Sequence, residues 1–353
     1  MTRTLTYFEW LTEQTPTRWW HDSGSPDEIR LARSRGALGV TTNPVLTYRT
    51  FRNEPAYWRE RVNAIPAHLD LEERAEALLQ LVATDAASCF RDVFLETGGQ
   101  HGLALGQLNP GRAGDAAGML AQARRIHSWG DNIAIKLPAT RSGVSVVEEL
   151  AAEGIPICAT LNVSVAQALA VAEAYERGAA RAEQAGIRPA LCLVVQQVGR
   201  LDDYIRDCAY DMAADVSEWD IVHSGLAVAK RTYSLFRERG YRSVIMPAGL
   251  RGAYHLTEMA GAHVVFSITT RVQEMILAKD PAQVPGIDQP VEAAMIERLM
   301  QIPEFVRAYE PDGLKPAEFI TYGVIQKLLS QFMETGWAPL ETYGSDLQSG
   351  RWI

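Results

Sequence analysis

Lysine is scarce in this chain. Of 34 basic residues only Lys136, Lys230, Lys279, Lys315 and Lys327 carry an ammonium group, and arginine supplies the rest. Acids outnumber bases by 43 to 34, giving a formal net charge of −9 and a pI near 5.4. That balance argues against a general nucleic-acid or anionic-membrane surface, although it leaves room for a local basic pocket. Cysteine is scarcer still: Cys89, Cys158, Cys192 and Cys208 show neither CxxC spacing nor the density of a disulfide framework. Reduced thiols in or beside apolar runs are expected, with no metal held by them. No apolar run approaches the roughly 18 residues of a membrane span. The opening MTRTLTYFEWLTEQ carries Glu9 and Glu13 and lacks a signal-peptide core, so a cytoplasmic protein is expected. Without a secretory signal, the acceptor pattern Asn162-Val163-Ser164 is read as chance.

Short apolar runs alternate with longer amphipathic stretches over most of the 353 residues, the pattern of β-α units around a parallel sheet. Eight strand candidates emerge: TRWWHDSG (17–24), ALGVTTN (37–43), DVFLETG (92–98), NIAIKLP (132–138), IPICATLNV (155–163), RPALCLVVQQ (188–197), YRSVIMPAG (241–249) and AHVVFSI (262–268). Helix starts are signalled by Ser25-Pro26-Asp27, by Asp115, and by Ser164 before a long amphipathic run that ends at Gly186. Eight strands each followed by a helix predict an α/β fold, a closed (β/α)8 TIM barrel with its active site at the C-terminal ends of the strands. No Pro/Gly/Ser linker divides the chain, so residues 1–353 are read as one domain. Its barrel core covers about 17–280 and additional C-terminal helices cover about 289–353. There ITYGVIQKLLSQFM is the strongest amphipathic piece, and Glu304, Glu310 and Asp312 are placed on a polar connection.

The run NIAIKLP sets Lys136 between Ile135 and Leu137, where an unpaired charge is costly to bury. The other four lysines fall on helix or loop candidates, where a solvated side chain is expected. A lysine inside a barrel makes chemical sense when desolvation or a nearby cation favours the free amine, the form that attacks a carbonyl. The plainer reading is a lysine whose tip reaches solvent or a carboxylate at the barrel mouth. Asp22, Asn43, Glu96 and Thr160 lie at or near the ends of the first, second, third and fifth candidates, or within them, and would converge with Lys136 on one mouth. A Schiff-base reaction needs such a set: an amine, a carboxylate for the substrate hydroxyl, and a second acid/base group for iminium formation. Taken singly, each is as readily a helix cap or turn former, Asp22 before Ser23-Gly24 above all.

In chain order, GVTTNP (39–44), NIAIKLPAT (132–140), GIPICATLNVSVAQA (154–168), VGR (198–200) and MPAGLRG (246–252) resemble the transaldolase family of class I aldolases. The resemblance runs from about Trp19 to about Thr270. It implies a Schiff base on Lys136, with Asp22 as the general acid/base for the hydroxyl next to the breaking bond. Asn43 and Thr42 of TTNP would contact and orient the substrate, and Glu96 with Thr160 would position and activate a water. Arg200 and Arg251 would hold the terminal phosphate, a role suited to the forked guanidinium. The implied partners are small sugar phosphates, with no cofactor, metal, nucleic acid or membrane. The family forms dimers and larger rings, so a homo-oligomer is compatible with it.

The sequence also departs from the family. Its third-strand region reads ETGGQHGLALGQLNPGRAG (96–114), without the family's aspartate and arginine after the glutamate. Gln197 stands where transaldolases have phenylalanine and the related fructose 6-phosphate aldolases have tyrosine, and Gly249 stands where a serine helps bind phosphate. The Schiff-base set is complete while the pocket wall is altered. The Gly-rich run lacks phosphate-loop spacing and is read as a mobile loop, with His101 in it either solvated or a second acid/base. The expected reaction is transfer of a dihydroxyacetone-type unit from a phosphorylated ketose to an aldehyde, with Glu96 favouring transfer. The alternatives are an aldolase that releases the ketone directly, a sugar-phosphate-binding barrel without catalysis, and a metal-dependent barrel aldolase. For the last no histidine cluster lies at the strand ends, His21 being the only histidine next to a site candidate.

Overall fold

A computed structural model of the protein describes residues 5–344. Its eight strands are β1 Arg18–Asp22, β2 Val40–Thr41, β3 Ala104–Gln107, β4 Ile133–Pro138, β5 Ile157–Thr160, β6 Cys192–Gln196, β7 Val244–Pro247 and β8 Val265–Ile268. All pairings are parallel and run in the order β7-β6-β5-β4-β3-β2-β1-β8. β7 and β8 lie side by side, so the sheet curls into a nearly closed (β/α)8 TIM barrel with extra C-terminal helices.

Successive strand residues point to opposite faces. Trp20, Leu105, Ala134, Cys158, Leu193 and Met246 therefore meet inside the barrel, and outward residues join the helices in a larger core. Helix starts follow the capping signals in the sequence. Ser25, Asp115 and Ser164 each accept the backbone N–H three residues on, from Glu28, Gly118 and Gln167. The four cysteines are free thiols. Asn162 is fully buried, so the glycosylation pattern there is not usable. Among the described residues, no helix is long and apolar enough to cross a membrane.

The third strand is not where the apolar run suggested. Arg91–Glu96 is a helix, in which the Phe94 N–H donates to the Phe90 carbonyl at 3.0 Å and the Phe94 ring packs against the cluster inside the barrel. Val93 and Phe94 favour strands in isolation and Leu95 suits either element, but packing under the barrel and a glycine stop decide for the helix. Gly102 turns the chain into β3 with φ +77, and a Cβ there would lie 2.2 Å from the Phe94 nitrogen. The run 98–114 is accordingly not one mobile loop. It contains the turn into β3, β3 itself and a 3-10 turn at Pro110–Arg112.

The C-terminal helices also differ in detail. Glu304 sits in the helix Pro303–Tyr309, accepting from the Tyr204 hydroxyl at 3.1 Å and from Arg307, rather than on a polar connection. The helix Gly323–Phe332 runs through a π turn, Met333–Trp337, into Ala338–Thr342. Trp337 anchors that turn in a buried cluster with Phe51 and Trp58, which sets Gln331 and Phe332 over the barrel mouth. The rest of the expected extension, 345–353, lies outside the described residues.

Candidate active site

At the C-terminal ends of the strands the barrel opens into a cavity of about 990 Å³, in contact with solvent. Lys136 enters it from β4. The side chain is almost wholly buried, and its Nζ donates to the Thr42 carbonyl at 3.0 Å. That carbonyl is available because TTNP leaves the sheet at once. β2 ends at Thr41, Pro44 starts a helix, and Asn43 caps it by accepting the Leu46 N–H at 2.9 Å. The Thr42 hydroxyl donates to the Leu105 carbonyl at 2.5 Å, fastening the segment to β3.

Asp22 ends β1 and faces the same cavity. Its Oδ1 accepts from the Thr41 hydroxyl at 2.8 Å, and that hydroxyl lies 2.7 Å from the Ser267 hydroxyl. Asp22 is not a helix cap, since Ser25 fills that role. Thr160 ends β5, and its buried hydroxyl accepts from the Gln197 amide at 3.1 Å. The next residue, Leu161, has φ +53, and its carbonyl is held by the Gln167 amide at 2.9 Å. A non-glycine residue there costs on the order of 1 kcal/mol, strain of a kind that gathers at functional sites. Cys158 lies beside Lys136 in register. Burial pushes its thiol up to about 12, so it offers no competing nucleophile.

The opposite wall carries Gln197, Arg200, Gly249 and Arg251. Arg200 lies in the first turn of the helix Val198–Met212, and burial, then the Arg251 guanidinium, hold it below the ordinary arginine range. An anion would relieve both effects. Arg251 is already engaged: its Nε lies 3.2 Å from Asp203 Oδ2, and its Nη1 donates to the Gly249 carbonyl at 2.9 Å. Gly249 has φ +68, a conformation a serine would enter only with strain, which accounts for glycine at that position.

Beneath this wall a buried pair ties its two parts together. The Arg251 N–H donates to His255 Nδ1 at 3.1 Å, and His255 Nε2 lies 2.9 Å from Asp202 Oδ2. Asp202 Oδ1 accepts from the Ser224 hydroxyl at 3.1 Å and the Gly225 N–H at 2.8 Å. Burial raises the Asp202 carboxyl above its usual range, and the His255 hydrogen bond opposes this.

Glu96 is the one expected site residue that the fold keeps away. It is exposed at the end of the helix before β3, on the far side of the barrel from the mouth. At the end of the true β3, Gln107 stands abreast of Lys136, buried, with its Oε1 unpartnered. The alternation Leu103, Leu105, Gln107 in HGLALGQ was the signal for this strand. Arg49, on the helix Pro44–Asn53, also lines the cavity and makes no ion pair among the described residues; nothing in the sequence marked it. Among the described residues, no group of three or more His, Cys, Asp or Glu could hold a metal ion.

A sequence profile of the family described as Transaldolase/Fructose-6-phosphate aldolase matches residues 19–318. The chain belongs to this family. This family member is 26% identical over 337 residues to the transaldolase of Thiobacillus denitrificans, covering 92% of this chain and 93% of that one. It is 34% identical over 165 residues to the transaldolase of Neisseria gonorrhoeae, covering 45% and 46% of the two chains. Transaldolase 1 of Streptomyces coelicolor is 29% identical over 160 residues, covering 44% and 42%. The chain thus spans less than half the length of the last two, while matching the first nearly end to end. Among solved structures, D-threo-3-hydroxyaspartate dehydratase from Delftia sp. HT23 superposes with a TM-score of 0.36 at 11% identity, over 75% of this chain and 56% of that one. The family member is a transaldolase-like enzyme of the class I aldolase type.

Proposed function

We propose that this transaldolase-family enzyme moves a dihydroxyacetone-type unit from a phosphorylated ketose to an aldehyde through a Schiff base on Lys136. One observation carries the reading: among the described residues, Lys136 and Asp22 are the only amine and the only carboxylate lining the cavity.

In this reading the Lys136 amine attacks the ketone carbon and the carbinolamine loses water to give an iminium. Asp22 takes the proton of the hydroxyl on the far carbon of the bond to be broken. That bond then cleaves, its electrons pass toward the iminium nitrogen, and an aldehyde leaves. The enamine on Lys136 attacks the acceptor aldehyde, Asp22 returns the proton to the new alkoxide, and water hydrolyses the iminium. The Thr41 hydroxyl on Asp22 supports a fixed carboxylate orientation. Thr160 and Gln197 form a hydrogen-bonded pair able to seat the water, and the Gln107 amide beside Lys136 helps orient it but, unlike the carboxylate expected from Glu96, exchanges no proton with it. Thr42 steers the amine through its carbonyl, and Asn43 meets the substrate from the start of its helix. Arg200 and Arg251, on either side of Gly249, receive the phosphate. Preference for transfer over release of the ketone rests on the transaldolase relatives, because Glu96 is not at the mouth. The C-terminal helices, through Gln331 and Phe332, belong to the same unit as the barrel.

The test is borohydride trapping with fructose 6-phosphate, sedoheptulose 7-phosphate or dihydroxyacetone, followed by peptide mass spectrometry. A reduced adduct on Lys136, absent from Lys136→Ala, is expected with at least one of them. Ligand binding by calorimetry without any adduct would replace the enzyme reading with that of a binding barrel.

A further inference from the structure

The N-terminal end of the barrel holds a second cavity, of about 1200 Å³ and open to solvent, formed where the chain enters β1, β3, β6, β7 and β8. Its charged wall is basic. Arg18, His101, Arg188, Arg242 and His263 line it, against a single carboxylate, Glu183. Glu183 is taken by Arg242, whose other partner is Glu176 at 2.8 Å. Arg18 uses its Nη1 on the Thr15 and Thr17 carbonyls, at 2.7 and 2.9 Å. Arg188 makes no hydrogen bond or ion pair through its side chain among the described residues. The Trp20 indole N–H reaches His101 Nδ1 at 3.5 Å, which makes Nε2 the protonated nitrogen of the neutral ring. Burial, then Arg18 and His263, hold that ring down at about 4. In a protein of net charge −9, Arg18 and Arg188 stand here with no carboxylate partner among the described residues.

We propose that this cavity binds a phosphorylated small molecule, with Arg18, Arg188, His101 and His263 as its anion contacts. Two forked guanidiniums and two imidazoles converging from different loops match the several oxygens of a phosphate better than a single carboxylate would. Pro189, Leu191, Val244 and Val265 give the rest of the ligand an apolar floor. The ligand is not the reacting ketose in its productive pose. Trp20, Leu105, Leu193 and Met246 fill the barrel between this cavity and the mouth that holds Lys136.

The experiment titrates the full chain with inorganic pyrophosphate at constant ionic strength, by calorimetry, against two variants. Arg188→Ala/His263→Ala removes two exposed contacts that lie far from the mouth, and Arg200→Ala removes the anion contact at the mouth. The wild type is expected to show binding that persists in Arg200→Ala and weakens about tenfold or more in Arg188→Ala/His263→Ala, the loss typical of charge-assisted hydrogen bonds. Trapping of dihydroxyacetone on Lys136 should be unchanged in that double variant. In the wild type, pyrophosphate should also shift the ring resonances of His101 and His263, a readout that needs no substitution. Binding abolished by Arg200→Ala alone, equal binding in the double variant, or displacement by chloride at matched ionic strength would each overturn the proposal. Failure of trapping would bear only on the function proposed above.

Discussion

Arg251 and Asp203 illustrate how a single side chain can be substrate contact and structural partner at once. The Arg251 guanidinium already pairs with Asp203, while Arg200 and Arg49 have no ion-pair partner among the described residues. Removing Arg200 should therefore raise KM for a phosphorylated ketose about 10- to 100-fold, as for a lost charge-assisted hydrogen bond, and leave dihydroxyacetone trapping nearly unchanged. Arg49→Ala should act in the same direction but less, because Arg49 stands at the exposed rim. Arg251→Ala carries a second cost, since it leaves the Asp203 carboxylate beside the phosphate with only Arg206, at 3.4 Å, to offset it. The double variant Arg251→Ala/Asp203→Ala is expected to bind phosphorylated substrate better than Arg251→Ala alone. Steady-state KM values for the four variants check the order, and a double variant no better than the single one would mean that Asp203 does not face the phosphate.

At the level of elements, the wall depends on how the loop after β7 is fastened to the helix Val198–Met212. His255 accepts from the Arg251 backbone and reaches Asp202, two residues beyond Arg200, so one buried pair registers both arginines. His255→Leu would leave Asp202 buried with only Ser224 and Gly225 as donors. It should lower the free energy of unfolding by about 3 kcal/mol, the scale for stripping a buried charge of its partner. His255→Asn, which keeps an acceptor near the Nδ1 position, should cost less. Urea unfolding at neutral pH measures both, and a simple loss of packing would make the two variants alike. Such links explain what the sequence could and could not disclose. Seven strands and the caps Ser25, Asp115 and Ser164 were legible because apolar runs and capping side chains act over a few residues. The segment 91–96 was misread because Val, Phe and Leu suit either element, and the choice fell to Phe94 packing beneath the barrel. With the strand misplaced, Glu96 took the role and Gln107 went unseen. Lys136 and Asp22 stood out as charged groups at strand positions. Arg49 and His255 did not, since no local spacing reveals which loops converge.

Across the whole molecule, acid stability should follow a small number of identifiable groups. His101 is held at about 4 in the folded protein, against about 6.5 for an unperturbed imidazole. Between those values the unfolded chain binds the proton and the folded chain does not, so stability rises with pH there and is lost as pH falls from 6.5 toward 4. His223 works in the opposite sense. Burial lowers it, but its hydrogen bonds to Glu258, at 2.9 Å, and to the Trp219 carbonyl, with the Glu258 charge, together raise it, so its contribution is present below the unfolded value and is lost as pH rises through the folded one. Asp220, lowered to about 2 chiefly by Arg298, contributes above the usual aspartate range and loses that only as pH falls well below 4, outside the histidine window. The comparison of wild type with His101→Gln isolates the first term, since glutamine keeps an acceptor for the Trp20 indole but does not titrate. From pH 7 to 5 the wild type should lose about 1 to 2 kcal/mol more than the variant by urea unfolding. Pyrophosphate in the second cavity, by supplying the missing negative charge, should lift His101 and shrink that difference. Equal pH profiles for the two proteins would mean that His101 titrates near its ordinary value and that the cavity is less positive than its lining implies.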